Sequence, residues 1–334
     1  MKSRIDGFVV AIVIVIGIAW VFPQLGRDDS PVPLDTIGSI GVSMIFFFYG
    51  LKLSPEKLVS GLRNWKLHVL VQSSTFLLFP AIVLVFLPFA KDESDRLLWL
   101  AFLFLAALPS TVSSSVVMVS IAKGNLPAAI FNASISGLIG IVITPLWMGM
   151  FIGQSSTSYN LSDIYLKLTI EILAPVALGL VLQRRLGGYV QQFSKQLSMF
   201  DKSIILLIIY KSFAESFDQH IFSSVQIADL VLMLIGSIIL FILAYSLTGY
   251  MARALSFSRE DAITAQFCGT KKSLVHGTVF SKILFPNNVH IGIILLPLMI
   301  FHALQIFIIS IIASRKSDES VRDENKTVPP YTAP

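Results

Sequence analysis

The sequence predicts an all-α polytopic membrane protein with ten transmembrane helices, and three observations predict it. The chain of 334 residues is 54% hydrophobic and 13% charged, whereas a soluble domain has about 25% charged residues. Apolar runs of about 17–25 residues, long enough to cross a bilayer as a helix, recur along nearly the whole chain. Polar residues interrupt two of these runs at matching places, as in many transporters.

Ten candidate spans follow from hydropathy. They cover residues 7–23, 37–53, 66–88, 97–121, 127–151, 165–186, 202–218, 226–254, 259–284 and 290–313. The first run is interpreted as a span and not as a signal peptide, because it lacks a small-residue cleavage site and other spans follow it. Residues 152–164 form a polar linker. The tail, residues 315–334, is rich in charge and proline and is predicted to be a disordered cytoplasmic tail.

The distribution of Lys and Arg predicts the orientation. One side of the membrane would hold the N-terminus, the tail and the loops that join each even-numbered span to the next odd-numbered span. That side carries 17 of the 25 basic residues, and the other side carries 5. The positive-inside rule then places both termini in the cytoplasm. The ten spans divide into halves at residues 1–151 and 165–314. An odd number of spans per half inverts the second half relative to the first, as in many secondary transporters.

Spans four and nine are predicted to be broken. Span four carries Pro109 followed by the polar run 110–115, and span nine carries CGTKKSLVHG at residues 268–277. Proline removes a backbone donor and clashes with the preceding turn. Two interrupted spans at corresponding positions indicate a binding site near the bilayer midplane. The alternative is a simple proline kink whose serines bond back to the helix.

Polar side chains at membrane depth supply the candidate substrate-binding and ion-binding residues. For most of them the alternative role is ordinary hydrogen bonding between helices, and Glu171 with Lys211 could form a structural ion pair. The single cysteine, Cys268, excludes an intrachain disulfide. The candidate site residues are Gln72, Thr75, Ser113, Ser114, Ser115, Asn132, Ser136, Gln266, Thr270, Lys271, Lys272, Ser273 and His276.

Three stretches in order, LPSTVSSSVVMVSIAKGN, NASISGLIGIVITPLW and QFCGTKKSLVHG, carry a family resemblance. Over residues 5–315 the chain resembles the bile acid:sodium symporter (BASS) superfamily, in the branch of bacterial YfeH-type proteins and solute carrier family 10 member 7. The resemblance implies an inverted repeat with a panel of spans one, two, six and seven. The other spans form a core in which broken spans four and nine cross. It also implies a bacterial inner-membrane protein whose substrate lies between panel and core.

The resemblance also implies residue roles. In sodium-coupled members, polar side chains of spans three, four, five and nine bind two sodium ions. Carried over to this chain, Ser114 and Ser115 fall at the span-four position, with Ser115 where asparagine is usual. Asn132 and Ser136 are the span-five candidates, and span three offers Gln72 or Thr75. A sodium site here would use Ser114, Ser115 and Asn132.

Span nine departs from the family pattern. The acidic ETGMQNS-like stretch of the family is replaced by FCGTKKS. The glutamate is absent, with Phe267 or Cys268 near its place, and Lys271 and Lys272 replace the glutamine and asparagine. Sodium is therefore a doubtful ligand of this chain, and no other cofactor or metal is predicted.

The two lysines of span nine suggest a replacement for sodium. Broken helices expose C-terminal carbonyls that attract cations, and a lysine ammonium is a compact positive charge with three donors. We therefore hypothesise that Lys271 or Lys272 substitutes for a bound sodium ion. Adjacent helical residues point about 100° apart, so the other lysine could attract an anionic substrate. Proton coupling through a titrating lysine, with His276 as a relay, stays an alternative.

The predicted function is secondary transport of an organic anion or amphipathic acid by alternating access, without sodium and with a lysine in its place. Two alternatives stay open: a sodium-coupled symporter of the bile acid type, and a regulatory membrane protein that does not transport. An enzyme is not predicted, since HExxH, GxSxG and P-loop motifs are absent from the sequence. The predicted partners are the lipid bilayer and a small organic anion, not nucleic acid. Assembly into a homo-oligomer is left open.

Overall fold

The computed structural model describes residues 7–26, 30–53, 64–111, 113–152, 166–167, 169–218, 226–285 and 291–327. The first six helices in these ranges are α1 Gly7–Val21, α2 Leu34–Lys52, α3 in three consecutive pieces (Trp65–Ser73, Ser74–Leu78, Phe79–Leu84), α4 Glu93–Ala107, α5 Ser113–Ile121 and α6 Leu126–Ile152. The remainder are α7 in two pieces (Thr169–Leu173, Ala174–Gln192), α8 Ser194–Asp218, α9 Ile227–Ala254, α10 Arg259–Gly269, α11 Leu274–Leu284 and α12 Ile291–Thr327.

The helices are those of a membrane protein. Among the described residues, five stretches are long and apolar enough to cross a bilayer: Leu34–Lys52, Trp65–Phe89, Leu126–Ile152, Ile227–Ala254 and Ile291–Ser317. Large apolar side chains lie on the outer surface, where Val181 is 76% and Ile227 81% exposed. A lipid environment accounts for both features, since hydrocarbon accepts apolar side chains and helices satisfy their own backbone. The described chain contains helices and no strand. Ten spans and an inverted repeat stay predictions.

The chain is non-helical at both places where the sequence predicts interruptions. In the first, α4 ends at Ala107 and α5 begins at Ser113, because Pro109 has no N–H for a continued helix. In the second, α10 ends at Gly269 and α11 begins at Leu274. Ser273 caps α11, with its Oγ accepting from the His276 backbone N–H at 3.3 Å, a typical N-cap arrangement.

A π-helical turn in the middle of α3 leaves a backbone carbonyl free. Residues Ser74–Leu78 form this turn, and the Phe79 N–H bonds to the Ser74 carbonyl instead of to Thr75. The next residue is Pro80, which has no N–H to offer to Thr75. The Thr75 carbonyl therefore needs a partner from outside its own helix.

Most contacts between helices fall within two groups. Helices α1, α2, α7 and α8 pack on one another, and α3–α6 pack with α9–α12, while α8 contacts α11 and α12 across the boundary. Within the first group α2 and α7 approach closely at two glycines. A Cβ on Gly50 would collide with the Val176 carbonyl, and one on Gly179 with the Phe47 carbonyl. Small residues allow such close approach of helices in membranes.

The C-terminal tail differs from the sequence-based expectation. Residues 315–334 were expected to be disordered, but α12 continues to Thr327. The stretch 315–326 is rich in Arg, Lys and Glu, which favour helix. Arg259 donates to the Lys316 carbonyl at 2.9 Å and lies 3.9 Å from Glu319, so the start of this extension contacts α10. Residues 328–334 and most of the predicted linker, 153–164, lie outside the described residues.

Candidate functional site

The two helix breaks lie against each other. The Ser273 N–H donates to the Pro109 carbonyl at 2.9 Å, and the Ser110 hydroxyl donates to the Cys268 carbonyl at 2.6 Å. The Ser110 N–H in turn donates to Ser136 Oγ of α6 at 3.0 Å. Each break thus supplies partners for backbone groups that the other leaves unpaired, which the apolar surroundings require.

Lys272 lies at the centre of this junction with its ammonium fully hydrogen-bonded. Its Nζ donates to the carbonyls of Thr75 at 2.7 Å, Ala106 at 2.6 Å and Leu108 at 2.9 Å, and it lies 4.2 Å from the centroid of the Phe79 ring. An ammonium has three donors, so all three are used. The side chain has 0% exposure. The ligands of this positive charge are backbone oxygens and a ring face.

The acceptors of Lys272 are carbonyls that the helices themselves cannot satisfy. Ala106 and Leu108 lie at the C-terminal end of α4, where carbonyls have no partner within the helix, and the helix dipole favours a cation there. The Ala107 carbonyl, which lies between these two, accepts a hydrogen bond from Thr144 Oγ1 at 2.8 Å. The Pro109 carbonyl, which follows Leu108, accepts one from the Ser273 N–H. The third acceptor is the Thr75 carbonyl freed by the π turn of α3.

The backbone of Lys272 is held from the other side by α12. Gln305 accepts from the Lys272 N–H and donates to the Lys272 carbonyl, both at 2.8 Å. The Gln305 amide also contacts His302 Nδ1 at 2.9 Å. This paired contact orients the break so that the lysine side chain points at α3 and α4. The sequence pattern did not select Gln305 as a site residue, although a buried glutamine in an apolar span is a usable signal.

Lys271 occupies a different environment. Its Nζ donates to the Ser114 carbonyl in the first turn of α5 at 2.8 Å, and its side chain also has 0% exposure. The described residues supply one acceptor for its three donors. Within the described chain, the ion pairs that the structure shows do not involve either lysine. The two lysines therefore differ in how many hydrogen-bond acceptors the described residues give their ammonium groups.

The span-four hydroxyls cluster at the start of α5. The Thr111 hydroxyl lies 2.8 Å from Ser114 Oγ and 2.9 Å from Ser115 Oγ. Ser115 is fully buried. The side chain of Ser113 lies outside the described part of the chain. Thr111 was not selected from the sequence, and it joins the two serines through its hydroxyl.

Asn132 belongs to a cluster between α3 and α6. Its Nδ2 lies 2.9 Å from His68 Nδ1 and donates to the Ala128 carbonyl at 3.0 Å, and its Oδ1 accepts from Gln72 Nε2 at 3.2 Å. The other amide atom, Gln72 Oε1, is buried and has no hydrogen-bond partner among the described residues. These hydrogen bonds do not join Asn132 to Ser114 or Ser115, so the three candidate sodium ligands are not linked directly in this structure.

His276 lies where α11 meets α2. Its Nδ1 contacts Ser273 Oγ at 2.9 Å, while Nε2 is buried and finds no hydrogen-bond partner in the part of the chain that the structure describes. Three rings surround it, those of Phe46, Tyr49 and Phe280, with centroids at 5.7, 6.1 and 5.8 Å. The Tyr49 hydroxyl also donates to a carbonyl of α6. His276 thus lies between the two helix groups.

The remaining candidates donate hydrogen bonds to backbone carbonyls. Gln266 donates to the Tyr245 carbonyl of α9 at 3.2 Å, and the Thr270 hydroxyl donates to the Gln266 carbonyl at 2.5 Å. The Thr75 hydroxyl bonds to Val71 and Gly269 carbonyls at 2.9 and 3.4 Å. These contacts stabilise the ends of the broken helices and do not bring Gln266 to the lysines.

Two broken helices that meet at a buried cation, within a helical membrane protein, are typical of membrane transporters with discontinuous helices. A model of the SBF-like CPA transporter family matches residues 6–318. The chain belongs to this family. The resemblance to the bile acid:sodium symporter superfamily noted in the sequence is thereby confirmed, and the chain is an integral, multi-pass membrane protein of a transporter family.

Three relatives show how far the similarity extends. The chain is 36% identical over 310 residues to an uncharacterized protein of Pseudomonas aeruginosa, covering 93% of this chain and 92% of that protein. It is 34% identical over 311 residues to the putative symporter YfeH of Escherichia coli, again covering 93% and 92%. It is 32% identical over 317 residues to sodium/bile acid cotransporter 7 of Xenopus tropicalis, covering 93% and 91%. The similarity therefore spans both breaks.

Proposed function

We propose that this protein is a secondary transporter that moves an organic anion or amphipathic acid by alternating access, without sodium coupling. The observation that carries the proposal is the Lys272 ammonium, held by three backbone carbonyls at the junction of the breaks. A monovalent metal ion at this position would meet the same oxygens. The ammonium supplies the same charge permanently, so the junction has no need of a bound ion.

The packing supports a division into a moving and a fixed part. The group α1, α2, α7 and α8 corresponds to the expected panel, and α3–α6 with α9–α12 to the expected core. In this proposal residues 1–151 and 165–314 are two inverted repeats of five spans, and each contributes one broken helix. The substrate lies between the two groups, on the His276 side of the junction. Both termini are cytoplasmic, in a bacterial inner membrane.

Lys271 is the lysine proposed to act on the substrate. Its ammonium has one acceptor among the described residues, at Ser114, against three for Lys272. A buried charge whose donors are incompletely satisfied gains from a further anionic partner. When the core moves and admits a substrate, a carboxylate or sulfonate can take up the unused donors of Lys271. This division of roles favours an anion over a cation as cargo.

Sodium dependence provides the first test of this proposal. Thermal unfolding of the purified protein would be followed in sodium, potassium and choline chloride at several pH values. A ligand that binds the folded form raises its stability by mass action. The proposal expects the same unfolding temperature in all three salts. An unfolding temperature that rises specifically in sodium would contradict the proposal that the Lys272 ammonium replaces a bound ion. It would favour the sodium-coupled symporter.

Transport itself needs a second measurement. Two of the three relatives are named as a symporter and a sodium/bile acid cotransporter, so a bile acid such as taurocholate is a reasonable first substrate. Uptake into proteoliposomes would be measured with and without an inward sodium gradient. Uptake that is equal in both conditions, and lost in Lys271→Gln, supports the proposal. Uptake by Lys271→Gln equal to the wild type would contradict the role of Lys271 in binding the anion.

A further inference from the structure

Lys282 joins the two helix groups at one end of the molecule. It lies in the last turn of α11, and its Nζ donates to the Asp35 carbonyl of α2 at 2.7 Å and to Ser39 Oγ at 3.0 Å. The Asp35 carboxylate lies 3.7 Å away. A Cβ on Gly38 would come within 3.1 Å of the ammonium. The glycine therefore allows the lysine to approach the backbone of α2.

The charges around Lys282 balance one another. The Asp35 carboxylate also forms an ion pair with Lys211 of α8. Three carboxylates and three ammonium groups surround this point, those of Asp35, Glu171, Glu215, Lys167, Lys211 and Lys282. A neutral cluster has no net attraction for a further ion of either sign. The attraction between these groups therefore acts on the helices that carry them.

The position of these contacts along the membrane gives them a particular consequence. Asp35 lies in the first turn of α2, so the Lys282 contacts lie on the side opposite the predicted cytoplasmic surface. A second contact joins α2 to the core closer to its other end, where the Tyr49 hydroxyl donates to the Ser134 carbonyl of α6. Separation of the two helix groups on the external side requires the Lys282 contacts to break, whereas the Tyr49 contact can persist.

We propose that the contacts of Lys282 with α2 form an external gate, which opens when the lysine releases Asp35 and Ser39. The gate rests on the proposed function, because alternating access requires the two sides to open in turn. Lys282 is 16% exposed and the Asp35 carboxylate 52% exposed. Exposed ion pairs contribute little, so the hydrogen bonds of the lysine hold the gate more firmly than its ion pair does.

Accessibility of a thiol behind the gate provides the test. Val42 is fully buried and lies one turn past Ser39, on the face of α2 that also carries Phe46 against His276. Val42→Cys places a thiol there. The native Cys268 is itself fully buried, and its labelling is measured in the unchanged protein as the background. The rate of labelling would be measured with a membrane-impermeant methanethiosulfonate reagent added to right-side-out membrane vesicles.

Labelling should become faster only when the contacts between the two helix groups are removed. In the Val42→Cys protein, Lys282→Met should raise the rate by about tenfold or more, as for the loss of a hydrogen bond to a charged group. Asp35→Asn should raise it by a smaller factor. The double variant should label no faster than Lys282→Met alone, because both substitutions remove the same ion pair.

Two control variants remove neighbouring contacts and leave the gate in place. Lys211→Met takes a lysine from the same Asp35 carboxylate but keeps the contacts of Lys282 with α2, so the external labelling rate should not change. Tyr49→Phe removes the contact nearer the cytoplasmic end and should not change it either. These controls separate a gate from a general effect of charge or of packing.

Three results would overturn the gate. They are an unchanged rate in Lys282→Met, an equal rise in Lys211→Met, and an equal rise in vesicles of the opposite orientation, which would indicate a general loosening of the protein. If Lys282→Met does not fold, Asp35→Asn and Lys211→Met still carry the comparison. Faster external labelling in Lys282→Met, with no uptake by wild-type protein in proteoliposomes, would reject the transport function and keep the gate.

Discussion

Replacement of Lys272 by alanine tests most directly whether the Lys272 ammonium takes the place of a bound cation. The substitution leaves the carbonyls of Thr75, Ala106 and Leu108 buried without their partner. Each unsatisfied buried acceptor costs about 1–3 kcal/mol, while removal of the buried charge returns several kcal/mol of desolvation cost. The three carbonyls together lose more than removal of the charge returns, so we expect a net loss of about 3 kcal/mol in the free energy of unfolding.

The same substitution should create a site for an external cation. Alanine leaves room where the lysine stem and ammonium were, and the three carbonyls keep their orientation through α3 and α4. A small monovalent cation can then take the vacated position. At a concentration 100 times its dissociation constant, such an ion restores about 2.7 kcal/mol of stability.

The assay is thermal unfolding of wild type, Lys272→Ala and Lys272→Met in chloride salts of choline, sodium, potassium and ethylammonium. We expect Lys272→Ala to be strongly destabilised in choline and partly restored by sodium or ethylammonium. Lys272→Met fills the same space with an apolar chain, so no cation should restore it. Choline serves as the baseline because it is too large to enter.

Two results would refute this reasoning. If Lys272→Ala is as stable as the wild type in choline, the three carbonyls do not depend on the ammonium. If Lys272→Ala is destabilised but no cation restores it more than it restores Lys272→Met, the junction needs the lysine as a packed side chain and not as a charge. Restoration of both variants by every salt would indicate a general ionic effect.

Two further predictions concern the surroundings of the site. Gln305→Leu removes both hydrogen bonds to the Lys272 backbone and should lower the free energy of unfolding by about 2–4 kcal/mol. The measurement is denaturation in detergent, and an unchanged midpoint would show that these two hydrogen bonds do not stabilise the break. Gly179→Val introduces a side chain that collides with the Phe47 carbonyl, and it should prevent close packing of α2 on α7 and lower the unfolding temperature. Its control is Gly188→Ala, because a Cβ at Gly188 meets nothing within 4 Å and the gain in helix propensity stabilises the protein by up to about 1 kcal/mol. An equal fall of the unfolding temperature in both variants would contradict the role of Gly179 in the packing of α2 on α7.

The helical membrane class and the two interruptions could be predicted from the sequence, because both depend on local chemistry. Apolar runs determine which segments favour a bilayer, and Pro109 and the polar run at 268–277 disfavour a continuous helix wherever they occur. The tail beyond Ser314 shows the opposite case. Its charged composition favoured disorder, yet its residues are also good helix formers, and contact of Arg259 with Lys316 and Glu319 accompanies the helical state.

The candidate site could be predicted as a region but not as a geometry. The unusual lysines of span nine were visible as charges at membrane depth. Their partners were not, because the acceptors of Lys272 are backbone carbonyls, and every residue has one. Only the placement of α3 and the end of α4 around the break between α10 and α11 selects which carbonyls converge.

The sequence by itself thus determined that the chain is a helical membrane protein with two broken spans and a cation at the second break. Those properties depend on composition and on residues close together along the chain. The tertiary structure decided that, among the described residues, Lys272 has three acceptors for its ammonium and Lys271 has one, and that a π turn before Pro80 supplies the third acceptor of Lys272. Adjacent lysines are chemically equal in an unfolded chain, and they differ only when the described helices place three carbonyl acceptors around the ammonium of Lys272 and one around that of Lys271.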